Sequence, residues 1–372
     1  MKTRIGIIFG GNSVEHEISI LSAIQASHAI DSEKYDYYNI YMTKDGCFWV
    51  GDNFDKLETF KKEKFKHYEV TFFSKDNKIY LKGIKRLPKK YKEPIDVILP
   101  IVHGKNVEDG SLAGFFKIFN IPYAASSVLA SSIIQNKQAA KIFLDVNNIP
   151  VIDYKYVAYK EYLNNKDEVL INLETLDYPV IVKPVSLGSS IGIKIASDRE
   201  ELLNALTYAF KYENEVIVEK KLTNFREFNQ AILELEDGYE LSLIEEVKNI
   251  NPFLTFQDKY LPSETKKEIP AKIPKELEEE ISEISSKVAK IFKPNGVIRI
   301  DYLYDFDTGN IYLNEINAIP GSLSYYLFEE IYEFPKLIDI LVKVAIKNHY
   351  RNSLKLNSFK SNVLSTSKIL KK

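Results

Sequence analysis

One cysteine, Cys47, stands alone in 372 residues, so no internal disulfide can form, and a lone thiol fits a reducing compartment. Net charge is nearly absent too: 50 Lys and Arg against 52 Asp and Glu leave a formal −2, with both signs mixed along the chain. A nucleic-acid binder would show a strongly basic face, so that class is not expected. Long apolar runs are also missing. The first one, Ile5 to Phe9, stops at Gly10 and Gly11 before Glu15-His16-Glu17, too early for a secretory segment or a membrane span. No membrane partner is expected, and the chain is expected to be cytoplasmic. Two nucleotide signatures are absent: no Gly-Lys-Ser/Thr closes a Walker loop, and there is no G-x-G-x-x-G. Internal repeats and low-complexity domains are lacking as well.

What is present is the composition of an ordinary globular chain, 45% hydrophobic and 27% charged, and its length asks for two or three domains. The order of elements is mixed α/β. Ile5 to Phe9 reads as a buried parallel strand, Ile18 to Ile30 as the helix after it, and Tyr37–Met42 and Val97–Pro100 as further strands. The Lys- and aromatic-rich stretch from Phe54 to Lys92 reads as a β-hairpin insertion on the first domain. One long helix is predicted from Val128 to Val146. A clearer one runs from Pro274 to Phe292: proline opens it, Glu276 and Glu278 to Glu280 fill its first half, and Lys287, Lys290 and Lys293 its end. Ile281, Ile284, Val288 and Ile291 keep its helical period. Two strands follow, Gly296–Tyr304 and Ile311–Ile316, joined by a turn. The last 22 residues carry six basic and no acidic side chains and read as a solvated tail.

Three segments carry chemistry. In the first, an apolar strand delivers Lys183, and Gly188, Ser189, Ser190 and Gly192 follow in a loop. Small residues let backbone N–H groups approach phosphate oxygens, and the lysine adds a cation. A plain β-hairpin accounts for the pattern equally well. In the second, Arg299 and Asp301 share one face of a strand, and Glu315 and Asn317 share one face of the next. Two carboxylates and an amide oxygen suit Mg²⁺, which takes a few protein oxygens and fills its shell with phosphate and water. The competing reading is a salt-bridged strand pair in which Arg299 neutralises the acids; it leaves Asn317 and the Pro320-Gly321 turn unexplained. The third segment, Glu219 to Leu222 with Glu227 nearby, could offer backbone groups to a purine edge and a carboxylate to a ribose. A charged strand end is the bland alternative.

In this order the three segments resemble the ATP-grasp superfamily, and flanking segments narrow the resemblance to the D-alanine–D-alanine ligase family. Phe9-Gly10-Gly11 through Ser19 is similar to that family's first signature, and His103-Gly104 with Glu108-Asp109-Gly110 to its second. Ile121-Pro122-Tyr123, Ser126 and Lys137 resemble the run into its central domain, Phe253 to Tyr260 its active-site loop, and Glu315-Ile316-Asn317 with Pro320-Gly321 its terminal signature. The resemblance spans about residues 4 to 348. It implies an N-terminal Rossmann-like domain over 1–126, a central ATP-grasp lobe over 127–218, a C-terminal lobe over 219–350 with the metal and acceptor sites, and a basic tail over 351–372. The fold class is therefore multidomain α/β and α+β, with a two-lobed ATP-grasp unit.

The implied activity is ATP-dependent joining of two D-alanine molecules through a D-alanyl phosphate, for peptidoglycan precursor synthesis; a D-Ala–D-Ser or other D-Ala–D-X product is the alternative. The implied cofactors are ATP and two Mg²⁺ or Mn²⁺ ions held by Asp301, Glu315 and Asn317. Lys137 and Lys183 would hold the α- and β-phosphates, Lys259 the γ-phosphate, with Ser190 and Asn314 beside them. Lys220 and Leu222 would bind adenine, Glu219 its amino edge and Glu227 the ribose. Glu15 would take the donor's ammonium and tie Ser189 to Tyr260. Arg299 and the Gly321 N–H would hold the oxyanion, and His103 would orient the first substrate. A homodimer is expected by the same resemblance.

The chain departs from the family pattern at Val107, at Ala125 and at Leu254-Thr255-Phe256. It departs most after Gly321, where Ser324, Tyr326 and Leu327 line the expected acceptor pocket and Tyr326 occupies the place of a substrate-binding serine. Relatives that accept D-lactate lack the tyrosine corresponding to Tyr260, so an amine acceptor is expected. Glu15-His16-Glu17 and Lys259-Tyr260 speak against a biotin-carboxylase-like ligase, and the full set of Arg299, Asp301, Glu315 and Asn317 against a non-catalytic nucleotide sensor.

Overall fold

The computed structural model describes residues 2–62, 64–76, 78–104, 106–248 and 266–356. Three sheets follow one another along these residues. The first contains β1 (Thr3–Gly10), β2 (Tyr35–Met42), β3 (Phe48–Val50), β4 (Tyr68–Lys75), β5 (Lys78–Gly83) and β6 (Val97–Ile101), in the order β5-β4-β3-β2-β1-β6. β1 lies parallel between β2 and β6, covered on both faces, which is why its apolar residues run continuously instead of alternating. The predicted insertion is a hairpin, β4–β5, but it extends this sheet through β3. Phe54, Phe60 and Phe65 pack around Tyr41 and anchor its approach. β1 ends at Gly10, with φ +95°, where a Cβ would meet the Met42 carbonyl oxygen at 2.3 Å.

The second sheet is antiparallel: β7 (Tyr154–Ala158), β8 (Val180–Pro184), β9 (Lys194–Ala196) and β10 (Glu215–Lys220), in the order β7-β10-β8-β9. Before it the predicted single helix is two, Val128–Gln135 and Lys137–Asp145. The break is at Asn136, whose extended backbone and side chain cap the second helix by accepting from the Ala139 N–H at 2.8 Å. Removing that cap in an Asn136→Ala variant is expected to cost about 1 kcal/mol, measured by urea unfolding; an unchanged midpoint would deny the cap any weight.

The third sheet holds β11 (Phe225–Leu235), β12 (Gly238–Leu241), β13 (Glu245–Lys248), β14 (Lys266–Glu268), β15 (Val297–Asp305) and β16 (Ile311–Asn317). Its order is β14-β13-β11-β15-β16, with β12 paired to β11. The helix Lys275–Phe292, begun at Pro274 as its sequence predicts, buries Leu277, Ile281, Ile284, Val288 and Phe292 in the core formed with this sheet. Within that core Ser285 bonds both Gln230 and the Tyr302 phenol at 2.7 Å, so the buried polar atoms are satisfied. A separate core joins the first sheet to the C-terminal end of the chain: Ile5 and Leu99 pack with Leu323, Leu327, Phe328 and Leu337. That core fixes the turn after Pro320 against the helix His16–Ala29, to which Ser322 is bonded through Ser22 and Gln25.

Candidate active site

β8 delivers Lys183 to a loop in which Ser189 and Ser190 adopt left-handed backbone, φ +52° and +59°. Non-glycine residues hold that conformation only where their surroundings impose it. Here three parts of the chain do so. The Lys137 N–H donates to the Val185 carbonyl at 2.9 Å and its ammonium to Leu187 at 2.5 Å, while Gln135 holds Ser186 at 2.6 Å. The break at Asn136 therefore turns the start of the second helix onto the loop. From the first domain, Glu15 accepts the Ser189 hydroxyl's hydrogen bond.

Lys183 and Glu219 lie diagonally across β8 and β10 and pair at 2.5 Å. Glu219 is 1% exposed and also meets Lys141 at 3.1 Å. Burial opposes its ionisation, yet the two ammonium groups more than offset this and hold its carboxyl at about 2. Burial pushes Lys137 and Lys141 down. Lys141 was not singled out from sequence; the signal available was its position one helical turn after Lys137. These groups open on a cleft of roughly 900 Å³, solvent included, whose other walls carry Leu222, Glu227, Asn314 and Glu315. The backbone donors of Lys220 and Lys221 are already committed to Asp153 and Pro179, at 3.1 and 2.9 Å.

Strand register sets a row across the third sheet: Glu245, Asn229, Asp301 and Glu315 are successive cross-strand partners on β13, β11, β15 and β16. Arg299 grips Asp301 with two bonds, 2.6 and 2.8 Å, and Asn317 adds a third at 3.2 Å. Burial works against the Arg299 charge, but Asp301 more than offsets it and keeps the group cationic. The salt bridge of the competing reading is thus present between Arg299 and Asp301. Among the described residues no group of three His, Cys, Asp or Glu is placed to hold a metal. Asp301 and Glu315 are the donor type of an ion whose shell phosphate and water complete.

The turn after Asn317 is held at Ile319 from both sides: its N–H donates to Glu108 at 3.1 Å and its carbonyl accepts from His103 Nδ1 at 2.7 Å. Burial pushes His103 down, so it is neutral with the proton on Nδ1, and the buried Nε2 finds no partner among the described residues. Burial pushes Glu108, aided by Glu15, up to about 8, against two backbone N–H bonds. A Cβ at Gly321 would meet nothing within 4 Å, so space is open there. Ser322, Leu323 and Ser324 are left-handed in succession, Ser324 is buried, and the Leu327 side chain belongs to the core. Tyr326 reaches Glu245. Glu245 and Asn229 escaped the sequence reading, which quoted Glu108 in a signature but gave it no role. Lys259 and Tyr260 lie outside the described residues.

Residues 4–126 match the family described as D-ala D-ala ligase N-terminus and residues 143–343 that described as D-ala D-ala ligase C-terminus. A D-alanine–D-alanine ligase of Thermosipho africanus is 38% identical over 371 residues, 96% of this chain and 97% of that one. One from Caldicellulosiruptor bescii is 35% identical over 365 residues, 95% and 98% of the two chains. Among solved structures, the VanG D-Ala:D-Ser ligase of Enterococcus faecalis superposes with a TM-score of 0.77 at 28% identity, covering 93% of this chain and 100% of the other. The D-alanine–D-alanine ligase of Helicobacter pylori gives 0.71 at 27%, covering 92% and 98%. Shared sequence over nearly the whole length and a shared fold agree: the chain belongs to the D-alanine–D-alanine ligase family.

Proposed function

We propose that the chain joins two D-alanine molecules at the expense of ATP, through a D-alanyl phosphate, to make a peptidoglycan precursor. The observation that supports this reading is a cleft lined by Lys183, Ser189 and Glu315, with Glu15 bonded to Ser189 and Asp301 opposite Glu315, in a member of this family. The first domain, 1–126, and the lobes 127–218 and 219–350 then close on ATP and the donor. Assembly as a homodimer rests on family resemblance.

A carboxylate is a poor electrophile, and phosphorylation makes it reactive; the need is for charge neutralisation and positioning. Lys137 and Lys183 hold the α- and β-phosphates, with Ser190 and Asn314 beside them, and Lys259 reaches the γ-phosphate. Leu222 and the Lys220 segment seat adenine, Glu219 its amino edge and Glu227 the ribose. Asp301, Glu315 and Asn317 would hold two Mg²⁺ or Mn²⁺, which would supply charge neutralisation. Glu15 holds the donor's ammonium and, through Ser189, links it to the phosphate loop; Tyr260 completes that link and shuts out water that would hydrolyse the acyl phosphate. A new O–P bond forms at the donor carboxylate as the β–γ bridge breaks and ADP leaves. The acceptor amine then attacks the acyl carbon. Arg299 and the Gly321 N–H stabilise the oxyanion, His103 fixes the turn that carries Gly321, and phosphate leaves.

A coupled ADP-release assay with ATP, Mg²⁺ and D-alanine alone is expected to show turnover, with one ADP per D-alanyl-D-alanine. Silence until a different amine is added would sink D-alanine as acceptor. ATP consumption without any D-amino acid would sink the ligase reading itself.

A further inference from the structure

The helix Lys137–Asp145 carries two lysines four residues apart, and they share one of its faces. Lys137 reaches the phosphate loop at Leu187, whereas Lys141 reaches Glu219. Lys137 and Glu219 line the cleft; Lys141 stands behind Glu219, its side chain 3% exposed. There it also meets the Ile152 carbonyl at 3.4 Å and the ring of Tyr154 at 5.3 Å. The two cations divide the Glu219 carboxylate, Lys141 facing Oε1 at 3.1 Å and Lys183 facing Oε2 at 2.5 Å. Burial alone would push that carboxyl up, and Lys141 and Lys183 together hold it at about 2. Phosphates that draw the Lys183 ammonium loosen its hold on Glu219. A buried carboxylate left without a cation is costly. Lys141, enclosed behind the wall, stays where it is when Lys183 turns away.

An ionised carboxylate only accepts hydrogen bonds. Set at the edge of a purine, it bonds an amino group and repels a carbonyl oxygen. We propose that Lys141 is a positioning residue of the nucleotide site: it keeps Glu219 an anionic acceptor while Lys183 serves the phosphates, and through Glu219 it makes the site favour a 6-amino purine nucleotide over a 6-oxo one. The proposal rests on reading the cleft as the ATP site, and it gives a role there to a residue outside the cleft wall. Without Lys141, Glu219 loses its second cation whenever Lys183 engages phosphate, and burial then makes it take up a proton. A protonated carboxyl can donate to a carbonyl oxygen, so the preference for the amino group falls.

Equilibrium dialysis of the full chain against MgATP or MgITP tests this, with D-alanine left out so that no nucleotide is consumed. The base of ITP carries an oxygen where that of ATP carries the amino group. The native chain is expected to bind ATP about a hundredfold more tightly than ITP, and Lys141→Met to bring that ratio down about tenfold while weakening ATP itself. Lys141→Arg keeps the charge and is expected to hold the ratio within about threefold of native. A purely structural role would lower the melting temperature without moving the ratio. A native ratio near one, a ratio unchanged in Lys141→Met, or one lost as fully in Lys141→Arg overturns the proposal. Should Lys141→Met not fold, Glu219→Gln is compared with the double variant Glu219→Gln/Lys141→Met. Their ratios should agree within about threefold, because Lys141 has no carboxylate left to act through. A tenfold difference between them would overturn the proposal. Adding D-alanine separates this role from the ligase reading. Selective ATP binding without ADP release rejects only the ligase reading, and ADP release with a ratio indifferent to Lys141 rejects only the role of Lys141. Binding of neither nucleotide rejects both.

Discussion

Replacing Glu315 with glutamine is expected to slow ADP release about a thousandfold while leaving the unfolding midpoint close to native. Glu315 lies opposite Asp301 on β16, at the edge of the cleft that Lys137 and Lys183 also line. Glutamine keeps the volume and the strand, so the packing under the third sheet should survive. What disappears is one of the two carboxylates proposed above to hold the metal. Loss of roughly 4 kcal/mol of charge stabilisation at the transferring phosphoryl group, at 1.36 kcal/mol per factor of ten, gives the thousandfold. The measurement is ADP release at saturating ATP and D-alanine over a range of Mg²⁺, with thermal unfolding as the fold control. A rate within tenfold of native at ordinary Mg²⁺ would remove Glu315 from the metal set.

The second large effect is on stability. Glu219 joins β10 to β8 through Lys183 and to the helix Lys137–Asp145 through Lys141, and both Glu219 and Lys141 are almost wholly enclosed. Glu219→Gln leaves Lys141 buried opposite a neutral amide, and breaking a buried pair in this way costs about 3–5 kcal/mol. Adding Lys141→Met removes the orphaned charge as well, so the double variant should recover part of the loss. The pH dependence has a definite sign. The folded Glu219 carboxyl ionises near 2, against an ordinary value of 4.5, so its stabilisation is complete above pH 4.5 and fades as pH falls towards 2. The melting-temperature gap between native and Glu219→Gln should therefore be wide at pH 7 and narrow steadily below pH 4.5. A gap that stays constant down to pH 3 would mean that the pair contributes no charge-dependent stability.

Much of this was legible in the sequence. The strand Thr3–Gly10 announces itself as an unbroken apolar run because β2 and β6 flank it and both its faces are covered. The helix Lys275–Phe292 is readable because its apolar stripe, opening proline and charge order are all local. Arg299, Asp301, Glu315 and Asn317 could be paired in advance because strand alternation fixes which side chains share a face, and the register agrees. The break at Asn136 was not legible: apolar residues keep their helical period through it, and the competing contact, from Lys137 to Val185, is nearly fifty residues away.

Local rules reach three or four residues along a helix and two along a strand, and by themselves they determined most of the elements and the family resemblance. Tertiary structure alone decided which buried polar groups meet. Glu108 clamps Ile319 across 211 residues, Lys141 joins Glu219, and Tyr326 finds Glu245 across 81. Sheet order and domain docking, which no periodicity encodes, bring these pairs together, and burial then makes each pairing obligatory because an unmatched charge there would be too costly.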